Sequence, residues 1–263
     1  MKMGTLILAE QPDYYVKSAE KTLAVLLAFK GGNTALTVSQ VAAATEQTRA
    51  SARRFLLTLV DLGYLEIEGN TYRQTPRVLD VGAAYLSGLT LPRAAISHLQ
   101  QLARELDETS SLCVLEGQDI LYVERVSAPR LHQMNVSIGN RLPAWTTSMG
   151  RVLIANLSAG ERAEFLKGIE LRRYTEHTVG SLAELNAELD RVAGQGWSLV
   201  NQELDEGLRG LAVPVYRGNQ LLGALNVSVQ SGRADDFSIS QTLLPALRRA
   251  AKEIAADFGG RAD

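Results

Sequence analysis

LTVSQVAAATEQTRASARRFLLTLVDL, residues 36 to 62, is the stretch on which the fold of this chain turns. It reads as two short helices joined by a tight turn. Thr37, Val38, Ser39 and Gln40 spell a capping box, in which the Thr37 hydroxyl takes an orphan amide of the first turn and Gln40 reaches back to the Thr37 amide. Leu36 and Val41 flank it as a hydrophobic staple. This first helix should bury Val38, Val41 and Ala42 and stop near Thr45, Glu46 and Gln47. The second starts at Thr48, a residue suited to the N-cap. Ala52, Phe55, Leu56, Leu59 and Leu62 recur at spacings of three and four, so one of its faces is core.

Thr48, Arg49, Ser51, Arg53 and Arg54 crowd the opposite, N-terminal side of that helix. Cations there oppose the helix dipole, and no acid lies between Gln47 and Val60 to neutralise them. Such an end is suited to a polyanion, and the recognition helix of a helix-turn-helix enters the major groove in this way. The competing reading is an ordinary solvated basic face on a small bundle. Capping, turn and polarity together favour DNA. Thr37 and Ser39 complete this group of DNA-contact candidates.

Composition sets the bounds. The chain has 263 residues, 46% of them hydrophobic, and a formal net charge of −2. That is enough for two domains with cores and too little bulk charge for indiscriminate nucleic-acid coating. The charge is unevenly placed, however. Lys17, Lys21, Lys30, Arg49, Arg53 and Arg54 face only Glu20 and Glu46 between positions 17 and 60. Cys113 is the single cysteine, so no disulfide framework is expected and a reducing, cytoplasmic setting is implied. No apolar run approaches a membrane span or a signal-peptide core.

Outward from the opening stretch, residues 1 to 16 read as a loose arm. A helix from Ser18 to Phe29 should pack through Ala19, Leu23, Leu26 and Leu27 and end at Gly31, Gly32 and Asn33. Gly63 closes the recognition helix. Leu65 to Glu68 and Thr71 to Gln74, turning at Gly69 and Asn70, form a β-hairpin wing. Its glutamates argue against deep insertion, and Arg73 is its one phosphate-contact candidate. The winged helix-turn-helix is thus expected over residues 1–75 and a linker helix over 76–91. Residues 92–263 read as an α+β domain with an antiparallel sheet flanked by helices. Its strands are expected at 112–115, 120–123, 133–138, 198–204, 211–216 and 221–229. Ser158, Ser181 and Ser238 each open a capping box.

Catalysis finds little support. His98, His132 and His177 are dispersed, no metal-ligand spacing is present, and Gly194-Gln195-Gly196 is a helix stop. No cofactor is expected. What stands out is polarity inside apolar segments. Leu142 to Arg151 combines Trp145 with the hydroxyls of Thr146, Thr147 and Ser148. Asn226 and Ser228 share one face of a strand. Apolar walls with a few convergent polar groups suit a small molecule.

The motifs RRFLLTLVDLGYLE, TPRVLDVGAAYLSG, LPAWTTSMGRVLIA, QELDEGLRGLAVPV, ALNVSV and LPALRRAAKEI resemble those of the IclR-type bacterial transcriptional regulators over nearly the whole chain. LPAWTTSMGRVL together with LDEGLRGLAVPV is similar to the branch governing aromatic-acid catabolism through the β-ketoadipate pathway. The resemblance implies a homodimer or a dimer of dimers, winged helices on double-stranded DNA operators, and a GAF-like C-terminal domain binding a small-molecule effector. RNA polymerase is a further candidate partner, and no membrane is involved. The effector would be an aromatic or dicarboxylic acid. By motif its pocket would be lined by Trp145, Thr147, Ser148 and Met149. Asn201, Glu203, Leu208, Arg209 and Gly210 would come from the returning strand and loop, with Asn226 and Ser228 below and Met134 and His132 as caps. A carboxylate needs charge-assisted donors; Arg209, Ser148 and Asn226 are the candidates, with Arg130 a weaker one. The alternative is a small-carboxylate enzyme fused to a DNA-binding domain. Two departures stand out: Glu46-Gln47 replaces the Gly and apolar residue usual in the helix-turn-helix corner, and Lys21-Thr22 replaces the common Arg-Gly of the first helix. Gly210, where relatives can carry cysteine, is expected to leave a larger or differently shaped cavity.

Overall fold

The computed structural model describes residues 12–29, 34–81, 90–128 and 136–259. The chain divides into two compact units, Met1–Gly88 and Leu89–Asp263.

In the first unit α1 (Lys17–Leu27), α2 (Val38–Ala44) and α3 (Arg49–Asp61) pack on a three-stranded sheet. The capping box forms as its residues require. Gln40 Oε1 accepts the Thr37 amide at 2.9 Å, and the Gln40 amide donates to the Thr37 hydroxyl. Helix α3 ends in a Schellman closure, because Gly63 adopts φ +79° and the amides of Gly63 and Tyr64 turn back to the carbonyls of Val60 and Leu59. The wing strands β2 (Leu65–Glu68) and β3 (Thr71–Gln74) pair as expected. A further short strand, β1 (Leu36–Thr37), pairs with β3 and gives the order β1-β3-β2. Val25, Phe29, Val41, Ala52, Leu56, Leu59, Leu65 and Tyr72 form the core. Leu23 and Leu27, expected inside, are 55% and 40% exposed, since Val25 and Phe29 take the inward face of α1. Leu62 is likewise half exposed beyond the last turn of α3. The expected stop at residues 31–33 lies outside the described residues.

Of the expected linker helix, residues 78–81 are helical and 82–89 lie outside the described residues. The second unit opens with α4 (Thr90–Leu106). Its sheet comprises β4 (Thr109–Glu116), β5 (Asp119–Val126), β6 (Arg141–Pro143), β7 (Ser198–Asn201), β8 (Leu208–Arg217) and β9 (Gln220–Gln230), in the order β6-β5-β4-β9-β8-β7, antiparallel throughout. Helices α4 and α8 (Leu244–Gly259) cover one face. Helices α5 (Ser148–Ala155) and α7 (Leu182–Gln195) cover the other, and α6 (Ala159–Lys167) packs beside them.

Several expectations shift. The third strand falls at 141–143 rather than 133–138; residues 136–140 form a turn held by Ser137 and Asn140, and 133–135 lie outside the described residues. The strand from Ser198 stops at Asn201, because Gln202 enters the left-handed region at φ +59°. The Ser158 box closes fully. Ser181 caps α7, but its Glu184 carboxylate takes the Gly180 amide, one residue short of the box partner. Ser238 is not a cap. Asp235 caps that turn, receiving both the Ser238 amide and hydroxyl, and a π turn at Ile239–Leu243 precedes α8.

The two sheet faces differ in bulk. Leu211, Val213 and Val215 of β8 pack toward α4 and α8, while Gly210 and Ala212 face α5. Small residues on that side let α5 lie close to the strands. The 3-10 turn Ala144–Thr146 folds back under α5, so a methyl added at Gly150 would sit 2.0 Å from the Ala144 carbonyl oxygen. Beside it, Arg151 (1% exposed) makes a two-pronged ion pair with Glu203 at 2.7 and 2.6 Å, and its Nε–H donates to the Trp145 carbonyl. The Val179 amide donates to the same carboxylate. Thr175 and Thr178 donate to the backbone carbonyls of Gln202 and Glu203.

Two predictions follow from this packing. Gly150→Ala should destabilise the second unit by about 3 kcal/mol, since the clash is with backbone; a denaturant midpoint equal to wild type would refute the close approach. Arg151→Met should cost about 3–5 kcal/mol by stranding a buried carboxylate, and Glu203→Leu on that background should recover most of the loss. Urea unfolding of the single and double variants measures the cycle, and purely additive losses would contradict direct coupling.

Candidate functional sites

Helix α3 presents the first candidate. Thr48 caps it by accepting the Ser51 amide at 3.2 Å, so its hydroxyl oxygen is engaged in the turn. Ser51 donates to Gln47 Oε1 at 2.8 Å. Arg49, Arg53 and Arg54 are exposed, and among the described residues none of them has an ion-pair or hydrogen-bond partner for its guanidinium. Ser39 is exposed at the start of α2, while the Thr37 hydroxyl is held in the capping box. Arg73 differs from the α3 arginines. It is paired with Glu68 at 2.8 Å, and this hydrogen bond raises its pKa further. With Glu66 nearby, the wing is not a free cationic strip, and the phosphate contact expected of Arg73 has a competitor in place. Between the helices, Glu46 sits at φ +52°. Glycine adopts that conformation without steric cost, which accounts for the turn's tolerance of glycine and marks Glu46 as strained.

The second candidate lies on the α5-facing side of the large sheet. Residues directly opposite on neighbouring strands project to the same face. Arg125 on β5 stands opposite Ser111 on β4, Ser111 opposite Asn226 on β9, Asn226 opposite Ala212 on β8, and Ala212 opposite Ser198 on β7. The next row contains Thr109, Ser228, Gly210 and Val200. Arg125 donates to the Ser111 hydroxyl at 3.2 Å, and Asn226 Nδ2 donates to Ser228 Oγ at 3.2 Å. Arg125 Nε, Asn226 Oδ1 and Ser198 Oγ are buried with no hydrogen-bond partner among the described residues. Burial lowers the pKa of the Arg125 guanidinium, and among the described residues no carboxylate pairs with it.

The expected pocket residues divide across this geometry. Trp145 and Met149 are buried in the core between α5 and the sheet, and Trp145 lies 6.2 Å from the Tyr174 ring, centroid to centroid. Thr147 caps α5, accepting the Gly150 amide. Ser148 Oγ lies 2.9 Å from where a Gly210 methyl would be, so it fills the space that the glycine was expected to leave open. Asn226 and Ser228 lie on the same face. Leu208 is half-buried at the start of β8.

Three expectations are corrected. Arg209 alternates with Gly210 and therefore projects from the opposite face, where it donates to the Ala234 carbonyl at 2.6 Å and pairs with Asp236 at 3.1 Å. It cannot share one small anion with Ser148 and Asn226. Asn201 is paired with Arg209, so it too faces away, and it is exposed. Glu203 lies near α5, but its carboxylate is engaged by Arg151 and the Val179 amide. Met134, His132 and Arg130 lie outside the described residues.

Arg125 and Ser111 were missed. Strict alternation from Ile120 and Tyr122 would bring Glu124, not Arg125, to this face. A bulge opposite Leu112 and Cys113 places one extra residue on β5 and reverses the parity. Cys113 shares the face, but burial pushes its thiol pKa well up, so it is a packing group. Among the described residues there is no cluster of three metal-ligating side chains and no helix long and apolar enough to cross a membrane.

Comparison with known proteins places this geometry. Residues 18–69 match the IclR helix-turn-helix domain, and residues 83–256 match the bacterial transcriptional regulator IclR C-terminal domain. The Pca regulon regulatory protein of Pseudomonas putida is 39% identical over 251 residues, covering 95% of this chain and 86% of that protein. The crystal structure of an IclR homologue complexed with 4-hydroxybenzoate, from Microbacterium hydrocarbonoxydans, superposes with a TM-score of 0.82 at 24% identity, covering 92% of this chain and 99% of that one. The inducer-binding domain of the PobR transcription factor from Acinetobacter, a double mutant in complex with 3-hydroxybenzoic acid, is 30% identical with a TM-score of 0.58, over 62% of this chain and 97% of that one. With a helix-turn-helix unit carrying unpaired arginines, a separate α+β unit and both family domains in order, this chain belongs to the IclR family of bacterial transcriptional regulators, a family of non-enzymes.

Proposed function

We propose that this regulator controls genes of aromatic-acid catabolism, binding operator DNA through α3 and a small aromatic acid on the α5-facing side of its C-terminal sheet. The observation that carries the DNA half is the trio Arg49, Arg53 and Arg54, exposed at the start of α3 with no internal counter-ion among the described residues. A half-buried guanidinium with buried amide and hydroxyl groups in the same row carries the effector half. Two relatives support this reading: a Pca regulon regulator at 39% identity, for the pathway, and an inducer-binding domain in complex with 3-hydroxybenzoic acid at 30%, for the class of ligand.

In this reading, operator half-sites are read by the α3 helices of a homodimer or a dimer of dimers. An effector that binds one arrangement of the assembly better shifts the population of DNA-competent molecules, and couplings of this kind are typically about 1–3 kcal/mol. The acidic wing holds back from the phosphates, leaving Arg49, Arg53 and Arg54 as the main electrostatic contacts. The domain boundaries near residues 75 and 92 and the contact roles of Thr37, Ser39, Thr48 and Ser51 belong to the same proposal.

Arg53→Ala should weaken operator binding and reduce the slope of log affinity against log salt by about one, as loss of one phosphate contact does. Arg73→Ala, whose side chain is already paired with Glu68, should change that slope far less. A fluorescence-anisotropy titration from low to moderate salt reads both. Equal slopes for wild type and Arg53→Ala would remove this arginine from the interface.

A further inference from the structure

We infer that Arg125 and Asn226 grip opposite ends of one hydroxylated aromatic acid, the carboxylate lying on Arg125 with Ser111 and the ring hydroxyl donating to Asn226 Oδ1. This rests on the effector reading above and fixes the polarity and the residues of the site.

The argument begins with an imbalance. A half-buried guanidinium with no carboxylate partner among the described residues is unfavourable, because desolvation, the largest influence on it, disfavours its charged form. Its hydrogen-bonded neighbour among the side chains of that face is the neutral Ser111 hydroxyl. A planar fork beside a hydroxyl is the donor set that suits a carboxylate. The groups around it agree. Tyr122, on the same strand face, has its pKa raised by burial and therefore stays neutral, and Glu124 projects to the other face, where it accepts the Arg125 backbone amide. No acid competes for the fork from the described residues.

Two strands away stands the complement. Asn226 is 3% exposed, its Nδ2 is used on Ser228, and its Oδ1 accepts from nothing. A buried acceptor left empty is costly and calls for a donor. Neighbouring strands are about 4.8 Å apart, so the Arg125 and Asn226 backbones are separated by roughly 10 Å. Arg125 reaches in to Ser111 on the strand between them, so a small ring lying over β4 is within reach of both groups. An aliphatic diacid would place a second anion on Asn226 Oδ1, which repels it. The row therefore selects a ligand with an anion at one end and a hydrogen-bond donor at the other.

Calorimetry on the full-length protein with 4-hydroxybenzoate, 3-hydroxybenzoate, benzoate and 4-hydroxybenzyl alcohol tests this. Wild type should bind the hydroxybenzoates more tightly than either benzoate or the uncharged alcohol. Arg125→Gln should weaken the hydroxybenzoates about 10- to 100-fold, the loss expected of a charge-assisted hydrogen bond, and leave the alcohol unchanged. Asn226→Ala should erase the preference for hydroxybenzoates over benzoate. Arg209→Gln, on the opposite sheet face, should bind like wild type. Without ligand, Arg125→Gln should melt at or above the wild-type temperature, since a half-buried charge with no carboxylate partner among the described residues has been removed. A large fall in melting temperature, or hydroxybenzoate binding untouched by Arg125→Gln, overturns the assignment while the aromatic-acid reading stands. Failure of wild type to bind any of the acids overturns both.

Discussion

A guanidinium and a carboxylate, both shut away from water, hold the C-terminal unit in its working shape. Arg151 reaches from α5 to Glu203 in the loop between β7 and β8, and on the way its Nε–H fixes the Trp145 carbonyl. Glu203 in turn anchors the Val179 amide, while its own backbone is tied by Thr178. Three stretches of the chain, around Trp145–Arg151, Thr178–Val179 and Glu203, are thereby locked around one charge pair. Such a pair gives little net stability compared with a well-packed apolar core, but the arrangement tolerates few alternatives, because any other packing leaves a buried charge unpaired. The position of α5 over the sheet, and with it the roof of the polar row, depends on this contact.

Beneath that roof the sheet is asymmetric for a simple steric reason. Branched side chains on the α4 and α8 side build a thick apolar layer, and glycine and alanine on the other side admit a helix at short range. The polar side chains on that second side are few, and several share one row. Among the described residues of this unit, four buried side-chain atoms lack a hydrogen-bond partner, Arg209 Nε on the far face among them. Three of them, on Arg125, Asn226 and Ser198, fall in one lateral row across β5, β9 and β7. A native fold keeps buried unpaired polar atoms to a minimum, so their alignment points to a ligand that completes them.

The N-terminal unit uses electrostatics in the opposite sense. Its arginines stand in water at the positive end of α3, and the nearby wing carries Glu66 and Glu68, which keep Arg73 occupied. Uneven placement of charge concentrates attraction for DNA on one helix end. The turn ahead of that helix passes through Glu46 in the left-handed region at φ +52°.

Local rules were enough for much of this. The capping boxes at Thr37 and Ser158, the wing hairpin, the left-handed glycine that ends α3 and the exposed arginines all follow from interactions within a few residues, and all were legible in the chain. So was the sharing of one strand face by Asn226 and Ser228, since strand alternation has a fixed period. What the sequence could not determine was which side of the sheet a neighbouring strand turns toward that face. One extra residue in β5 reverses the projection of Arg125, and one step of alternation sends Arg209 to the far side. Register and bulges are settled by how whole strands pair and pack, a non-local balance in which no single residue type carries the signal. The sequence by itself determined that this chain presents a basic recognition helix and a polar-lined α+β unit; only the tertiary structure decided that Arg125 shares a face with Asn226, that Arg209 lies on the other, and that Arg151 braces the fold.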